Sequence, residues 1–423
     1  MALALVAAVA WGVSPALAAG EDNGPGLFGA LPPVPSLPVS DFYVPPTPLP
    51  EGRPGDVIRR EDLPPVPGAT VQRIMYLSTN KQGERVPVTG IVLTPLVPAQ
   101  VPGPGGARPI VTHTPGTRGL ADACAPSNFY DRKTVDLRSI EPVQFPAYAQ
   151  QLAAGITVVI TDYVGSGTPL EQEYLVAQSE AQNGIDATRA ALRLDSNDDL
   201  NGASPLGYMG FSQGGQAAAA IAELLPAYAP ELLPHVEGVV SGAPPTDMQE
   251  QTAHFDGNPT AGVGFGLAAL TGLDAAFPDL NLDRYATPEG RQVFDRVRAS
   301  CTPENLAAFG TITYGQVTSP DVTTLPAWRA AMAESKLGGT APEMPTYLFN
   351  GTIDTIVPPH MAPKLHKDWC SKGATSEFTS YPGTEHFASL GAVGIPAANE
   401  WLLDRLAGKP AAEGCVVNHL LPN

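Results

Sequence analysis

The chain has 423 residues, 43% of them hydrophobic and 16% charged, enough apolar side chain for one large core or two smaller ones, which excludes a disordered tail. Its 24 basic residues stand against 42 acidic ones, a formal charge of -18, so no positive field draws in phosphate backbones, and nucleic acid is not expected as a partner. Glycine (43) and proline (46) are abundant without a collagen period, which points to many loops between compact elements.

In chain order, residues 1–13 form an apolar run followed by Ala16-Leu17-Ala18, the pattern of a signal peptide over residues 1–18. Export is therefore expected, to the extracellular space or the cell envelope. The run is too short to span a bilayer and no later segment is long enough, so no integral membrane span is expected after cleavage. Residues 19–68 are crowded with proline, including Pro45-Pro46, Pro48, Pro50 and Pro64-Pro65. Proline lacks a backbone donor and fixes φ, which disfavours helix and central strand alike, so this stretch reads as an extended N-terminal strap.

Short apolar runs at residues 71–77, 86–93, 109–112, 156–161, 206–209, 236–240, 346–349 and 376–381 read as strands. From residue 156 on they alternate with helix-period segments at 175–194, 216–225 and 397–406. Strand and helix in alternation predict an α/β fold, a mostly parallel central sheet wrapped by helices. Residues 247–339 break that rhythm and read as an inserted, mainly helical cap or lid, leaving residues 69–246 and 340–423 as the core. Within the insert, residues 261–277 are apolar but carry Gly262, Gly264 and Gly266. Each glycine costs a helix about 1 kcal/mol relative to alanine, so the stretch reads as a mobile or closely approached surface, with Phe265 or Leu267 placed to line an acyl pocket. An ordinary buried helical hairpin is the alternative.

Four cysteines are too few for a disulfide-built scaffold, and none has C-x-x-C spacing, so zinc and thioredoxin chemistry are not expected. Two bridges are the natural reading in an exported protein.

The stretch Leu206-Gly207-Tyr208-Met209-Gly210-Phe211-Ser212-Gln213-Gly214-Gly215-Gln216 joins a strand, a G-x-S-x-G turn and an Ala-rich helix, the context of a nucleophile elbow. So sharp a turn leaves no room for side chains two positions either side of Ser212, and it lifts the serine to the C-terminal edge of the sheet. A serine hydroxyl needs a base to take its proton, and the base needs an orienting acid. Of seven histidines, His386 follows the strand at 376–381 and precedes a helix, where a loop would carry the base. His235, His254, His360, His366 and His419 read as polar surface residues on helices, caps or the tail. Asp354, just past the strand at 346–349, is the candidate acid, with Asp247 its rival. The order Ser212, Asp354, His386 is that of the α/β hydrolases, and neither the chymotrypsin nor the subtilisin order fits.

With these residues in place, the chain resembles the secretory lipases, a family of fungal and actinobacterial triacylglycerol lipases. The resemblance spans most of the mature chain. It is carried by Asp41-Phe42-Tyr43 with Pro45-Pro46, Cys124-Ala125-Pro126-Ser127, Thr161-Asp162-Tyr163-Val164-Gly165-Ser166-Gly167, the Ser212 elbow, and Gly351-Thr352-Ile353-Asp354 with Val357-Pro358. It implies an α/β-hydrolase core with an inserted lid, hydrolysis of lipid esters, and disulfides pairing Cys124 with Cys301 and Cys370 with Cys415; separately, neither cofactor nor metal is expected. Where many relatives have His-Gly after the third strand, this chain reads His113-Thr114-Pro115-Gly116-Thr117-Arg118-Gly119. The first oxyanion donor is expected to be the backbone N–H of Gln213, and the second an N–H of this loop at Thr117. A purely structural Gly-Pro turn is the alternative for the loop.

Asp195-Ser196-Asn197-Asp198-Asp199-Leu200-Asn201-Gly202 has calcium-loop character but no glutamate at the twelfth position, so an acidic turn is expected. The chain as a whole reads as a secreted serine hydrolase of carboxylic esters, acylglycerols foremost, with transient contact at a lipid interface left open. The same apparatus would serve an acyltransferase, and a catalytically inactive binding module is the third reading.

Overall fold

The computed structural model describes residues 39–129, 144–194, 199–260 and 262–419. The signal-peptide reading and residues 195–198 of the acidic turn lie outside the described residues. Ten strands, β1 (Val57–Val66), β2 (Ala69–Thr79), β3 (Arg85–Pro95), β4 (Ile110–Thr114), β5 (Thr157–Thr161), β6 (Leu206–Phe211), β7 (Val236–Gly242), β8 (Thr346–Gly351), β9 (Ser376–Tyr381) and β10 (Cys415–His419), form one sheet. Their order is β1-β2-β3-β5-β4-β6-β7-β8-β9-β10. β1, β2, β3 and β5 pair antiparallel in turn, and from β5 to β10 every neighbouring pair is parallel.

Successive side chains of a strand point to opposite faces, and here each face meets its own helices. Tyr208, Val239 and Leu348 pack with Ile185, Ile221 and Leu365, from helices Ala177–Leu192, Gln213–Tyr228 and Met361–Cys370. Their neighbours Met209, Val240 and Phe349 pack on the other side with Ala147, Leu390 and Leu402, from helices Phe145–Ala153 and Ala388–Leu406. Burial on both faces explains why the central strands read as continuous apolar runs.

Two strands differ from the sequence reading, and both are edges. β1 runs through the stretch read as an extended strap; its Pro64 and Pro65 fall where the register with β2 shifts, between Leu63 and Val66, a place where a missing N–H is tolerated. β10 is five residues long, with Val417 48% exposed, and it is fastened beside the Met361–Cys370 helix by the disulfide Cys370–Cys415. His366, read as a surface residue, is buried there, its Nδ1 3.0 Å from Ser376 Oγ.

Between β7 and β8 the chain forms helices Met248–Phe255, Val263–Ala276, Pro288–Arg298 and Pro326–Glu334 with shorter turns. Val263–Ala276 is a buried helix, so the reading of this stretch as mobile or closely approached resolves in favour of close approach, on a buried helix and not a surface. Close approach is what its glycines permit: a Cβ on Gly266 would fall 1.8 Å from the Tyr314 hydroxyl, and one on Gly264 2.5 Å from Asn305 O. The disulfide Cys124–Cys301 ties this helical segment to the chain after β4. No single helix among the described residues is long and apolar enough to cross a membrane.

Candidate active site

Ser212 sits between β6 and the Gln213–Tyr228 helix with φ 60° and ψ -123°, a conformation that a non-glycine residue adopts only when its surroundings impose it. The surroundings are backbone. A Cβ on Gly210 would lie 1.9 Å from Gly214 O, and one on Gly214 1.9 Å from Thr114 O, so the elbow closes only with glycine at both positions. Ser212 N–H donates to Gly242 O at 2.9 Å, pinning the turn to β7.

His386 Nε2 is 2.9 Å from Ser212 Oγ, and His386 Nδ1 is 2.6 Å from Asp354 Oδ2. A carboxylate only accepts, so Nδ1 carries the ring proton and Nε2 is left to accept the serine hydroxyl. The ring is 1% exposed and lies 4.9 Å from the Phe211 ring and 5.0 Å from Phe387, centroid to centroid. Asp354 Oδ1 accepts the backbone N–H groups of Ile356 and Val357, each at 2.9 Å. Asp247, the rival acid, is elsewhere: it caps the Met248–Phe255 helix through Gln249 and Glu250 and pairs with Lys336 Nζ at 2.7 Å.

Gln213 is the first residue of its helix, where a backbone N–H has no acceptor within the helix. Thr117 borders the same space above Ser212. Its hydroxyl meets the Tyr174 hydroxyl at 2.8 Å, and its carbonyl accepts Thr302 Oγ1 at 2.9 Å. His113, at the head of that loop, is fully buried between Gln151 (2.7 Å) and Gln144 (3.3 Å). Burial pushes its imidazole down to about 4, so it is a neutral structural residue at working pH.

Several residues at the site escaped the sequence reading. Leu175, Gln251, Phe255 and Val357 join Thr117 and Phe265 over Ser212, leaving a cavity of about 10 Å³, room for roughly one water. Leu267, the other candidate for an acyl pocket, is buried and does not line it. Gln251 Nε2 donates to Ile356 O at 2.8 Å, latching the helical segment to the Asp354 turn. Glu180 accepts Gln213 Nε2 at 2.7 Å. Of these, only Val357 stood in a motif, beside Pro358 after the Asp354 turn.

Three of the scattered pieces of the family resemblance meet in one buried network. Asp162 accepts Thr89 Oγ1 at 2.6 Å, Ser127 N at 2.8 Å and the Ser127 hydroxyl. With its proton committed, Ser127 Oγ accepts from Tyr43 at 2.6 Å, and Arg73 donates to the Tyr43 hydroxyl at 3.3 Å. Tyr163 extends the network toward the Thr117 loop by donating to Pro115 O at 2.9 Å. Among the described residues one group has metal-ligand proximity, His366 with Cys370 and Cys415, and both sulfurs are spent in the disulfide.

The secretory lipase family matches residues 143–414. A probable inactive lipase of Mycobacterium tuberculosis is 28% identical over 90% of this chain and 84% of its own length. A secreted triacylglycerol lipase of Malassezia globosa is 28% identical over 88% and 80%. Candida antarctica lipase A superposes with a TM-score of 0.78 at 22% identity, covering 89% of this chain and 88% of that one, and the rice cell wall degrading esterase of Xanthomonas oryzae with 0.67 at 18%, covering 84% and 100%. The fold is that of the α/β hydrolases, and the chain belongs to the secretory lipase family of carboxylic ester hydrolases.

Proposed function

We infer that the protein is a secreted serine esterase that cleaves acylglycerols through an acyl-enzyme, with Ser212, His386 and Asp354 as its triad. The observation that carries this reading is the unbroken relay from Asp354 Oδ2 through His386 to Ser212 Oγ, at 2.6 and 2.9 Å. A relative described as inactive raises the reading of a silent fold, and the relay in this chain speaks against it.

Ser212 Oγ attacks the ester carbonyl while His386 Nε2 takes its proton, and the carbonyl π electrons move onto the oxygen. The backbone N–H groups of Gln213 and Thr117 receive that oxyanion. The imidazolium, steadied by Asp354, then protonates the departing alcohol as the C–O bond breaks. In the second half His386 deprotonates a water, which attacks the acyl-enzyme; the acyl–Oγ bond breaks as the imidazolium returns the proton to Ser212 Oγ, and the fatty acid leaves. No step calls for a metal or cofactor.

Residues 247–339 act as a cap over this apparatus, and residues 69–246 and 340–423 form the core, which β1 from the proline-rich stretch joins at its edge. A cavity of about 10 Å³ holds no acyl chain, so the cap lifts for a substrate to enter, exposing Phe255 and Phe265 to a lipid surface. Residues 1–18 direct export, and the two disulfides suit an oxidising compartment. Rates on p-nitrophenyl esters of rising chain length and on triolein test the reading, with product analysis in the presence of a competing alcohol. Fatty acid as the main product supports it; transfer to the alcohol in preference to water makes the protein an acyltransferase.

A further inference from the structure

Glu180 lies in the first turn of the Ala177–Leu192 helix and is 1% exposed. One of its carboxyl oxygens, Oε1, accepts two hydrogen bonds, from Gln213 Nε2 at 2.7 Å and from the Leu175 backbone N–H at 2.8 Å. The other, Oε2, is buried without a partner among the described residues. Two walls of the space above Ser212 are thus fastened to one oxygen. The first wall is Gln213, whose N–H is the first donor to the oxyanion. The second is Tyr174-Leu175, whose Tyr174 hydroxyl meets Thr117 Oγ1 at 2.8 Å, and Thr117 is the proposed second donor. Leu175 has φ 59°, a left-handed conformation that leucine keeps only when neighbours hold it.

We propose that Glu180 is a positioning residue for ester hydrolysis, aligning both oxyanion donors with Ser212, one through the Gln213 side chain and the other through Tyr174-Leu175. The proposal rests on Ser212 being the nucleophile.

The role requires the uncharged acid. Burial pushes the Glu180 carboxyl up to about 8, so near neutrality Oε2 carries a proton and no second anion faces the developing oxyanion. Among the described residues, the titratable groups that act on it are Glu173 and the Tyr174 hydroxyl on the preceding segment; Lys81 from the β2–β3 turn donates its backbone N–H to Glu173 at 2.9 Å, and His386 meets Ser212. Ionised, Glu180 sets a buried negative charge one side chain away from the oxyanion donor and raises the transition state.

The test is the pH dependence of kcat and KM for p-nitrophenyl butyrate in wild type, Glu180→Gln and Glu180→Leu, with fluorophosphonate labelling of Ser212 as the control on the nucleophile. Wild type is expected to lose kcat as the pH rises through about 8. Glu180→Leu lowers kcat about 10- to 100-fold with KM changed less than about threefold. Glu180→Gln, which keeps an acceptor at Oε1 and cannot ionise, recovers most of kcat at pH 7 and loses the alkaline fall. An undiminished kcat in Glu180→Leu, or an alkaline fall that survives in Glu180→Gln, overturns the proposal. Should Glu180→Leu not fold, the Glu180→Gln profile decides alone. A Ser212 that neither labels nor is needed for turnover overturns the nucleophile assignment instead, so the two failures are distinguishable.

Discussion

Asp354 holds His386 with one carboxyl oxygen, at 2.6 Å from Nδ1, and the backbone of its own turn with the other, through Ile356 and Val357. A carboxylate fixed at both oxygens cannot swing away from the imidazole, so the tautomer of His386 is set before a substrate arrives. Ser212→Ala and His386→Ala are each expected to lower kcat by roughly 10³- to 10⁶-fold, because the triad works as a unit. Asp354→Asn, which keeps the shape but offers a donor to Nδ1, is expected to cost about 10³- to 10⁴-fold. Asp247→Ala is expected to leave kcat within about twofold and to remove roughly 1 kcal/mol of stability as a lost helix cap. Steady-state kinetics with thermal melts of the four variants check these values.

Phe265 lines the cavity over Ser212 and Leu267, two residues on, does not. Substituting Trp at each therefore separates pocket shape from packing. Phe265→Trp is expected to shift ester preference toward short acyl chains. Leu267→Trp is expected to overpack a closed interior at a cost of about 1 to 3 kcal/mol without altering that preference. The readout is kcat/KM across p-nitrophenyl esters from acetate to palmitate.

The two disulfides close loops of 177 and 45 residues, for which chain entropy alone sets upper bounds of roughly 5 and 4 kcal/mol. Their effects on catalysis should differ more than their effects on stability. Beside Cys301, Thr302 bonds to Thr117 O and Arg118 O, each at 2.9 Å, so the first bridge braces the loop that carries the proposed second donor. The second braces only the edge strand β10. The double variant Cys124→Ser with Cys301→Ser is expected to lower both Tm and kcat, whereas Cys370→Ser with Cys415→Ser lowers Tm alone.

Buried carboxyls make stability fall as the pH rises. Glu180 is lifted by burial from 4.5 to about 8, so between those values the folded protein binds more protons than the unfolded chain. The stabilisation is complete below the lower value and is lost as the pH climbs through the upper one. Asp162 and Asp186, each lifted to about 6 by burial, act in the same direction at lower pH, while His113 acts oppositely as it protonates below its ordinary value of 6.5. The window from pH 6.5 to 8.5 therefore separates Glu180 from these three. Wild-type Tm is expected to fall across it, and Glu180→Gln to flatten the fall.

The eight strands read from sequence are β2 to β9, because burial on both faces leaves continuous runs of β-branched and aromatic residues that nothing else in the chain imitates. β1 and β10 were hidden because edge strands carry what central strands cannot, prolines and charges in one and a short half-exposed run in the other. The Ser212 elbow was legible since backbone contacts leave glycine alone at Gly210 and Gly214. Glu180 and Gln251 were not, because a polar residue on a helix reads as solvent-facing until tertiary packing covers it. In the Ala177–Leu192 helix Ser179, Glu180, Gln182, Asn183 and Asp186 are all buried, and their partners, such as Ser78 for Asn183 and Asp186, lie about a hundred residues away.

Covalent trapping of the nucleophile tests the proposed triad most directly. Reaction with a fluorophosphonate, followed by intact mass and peptide mapping, is expected to give one adduct per chain on Ser212, loss of ester hydrolysis in step with labelling, and no adduct in Ser212→Ala. Hydrolysis that persists after complete labelling, or a folded protein whose Ser212 takes up no probe, contradicts the assignment.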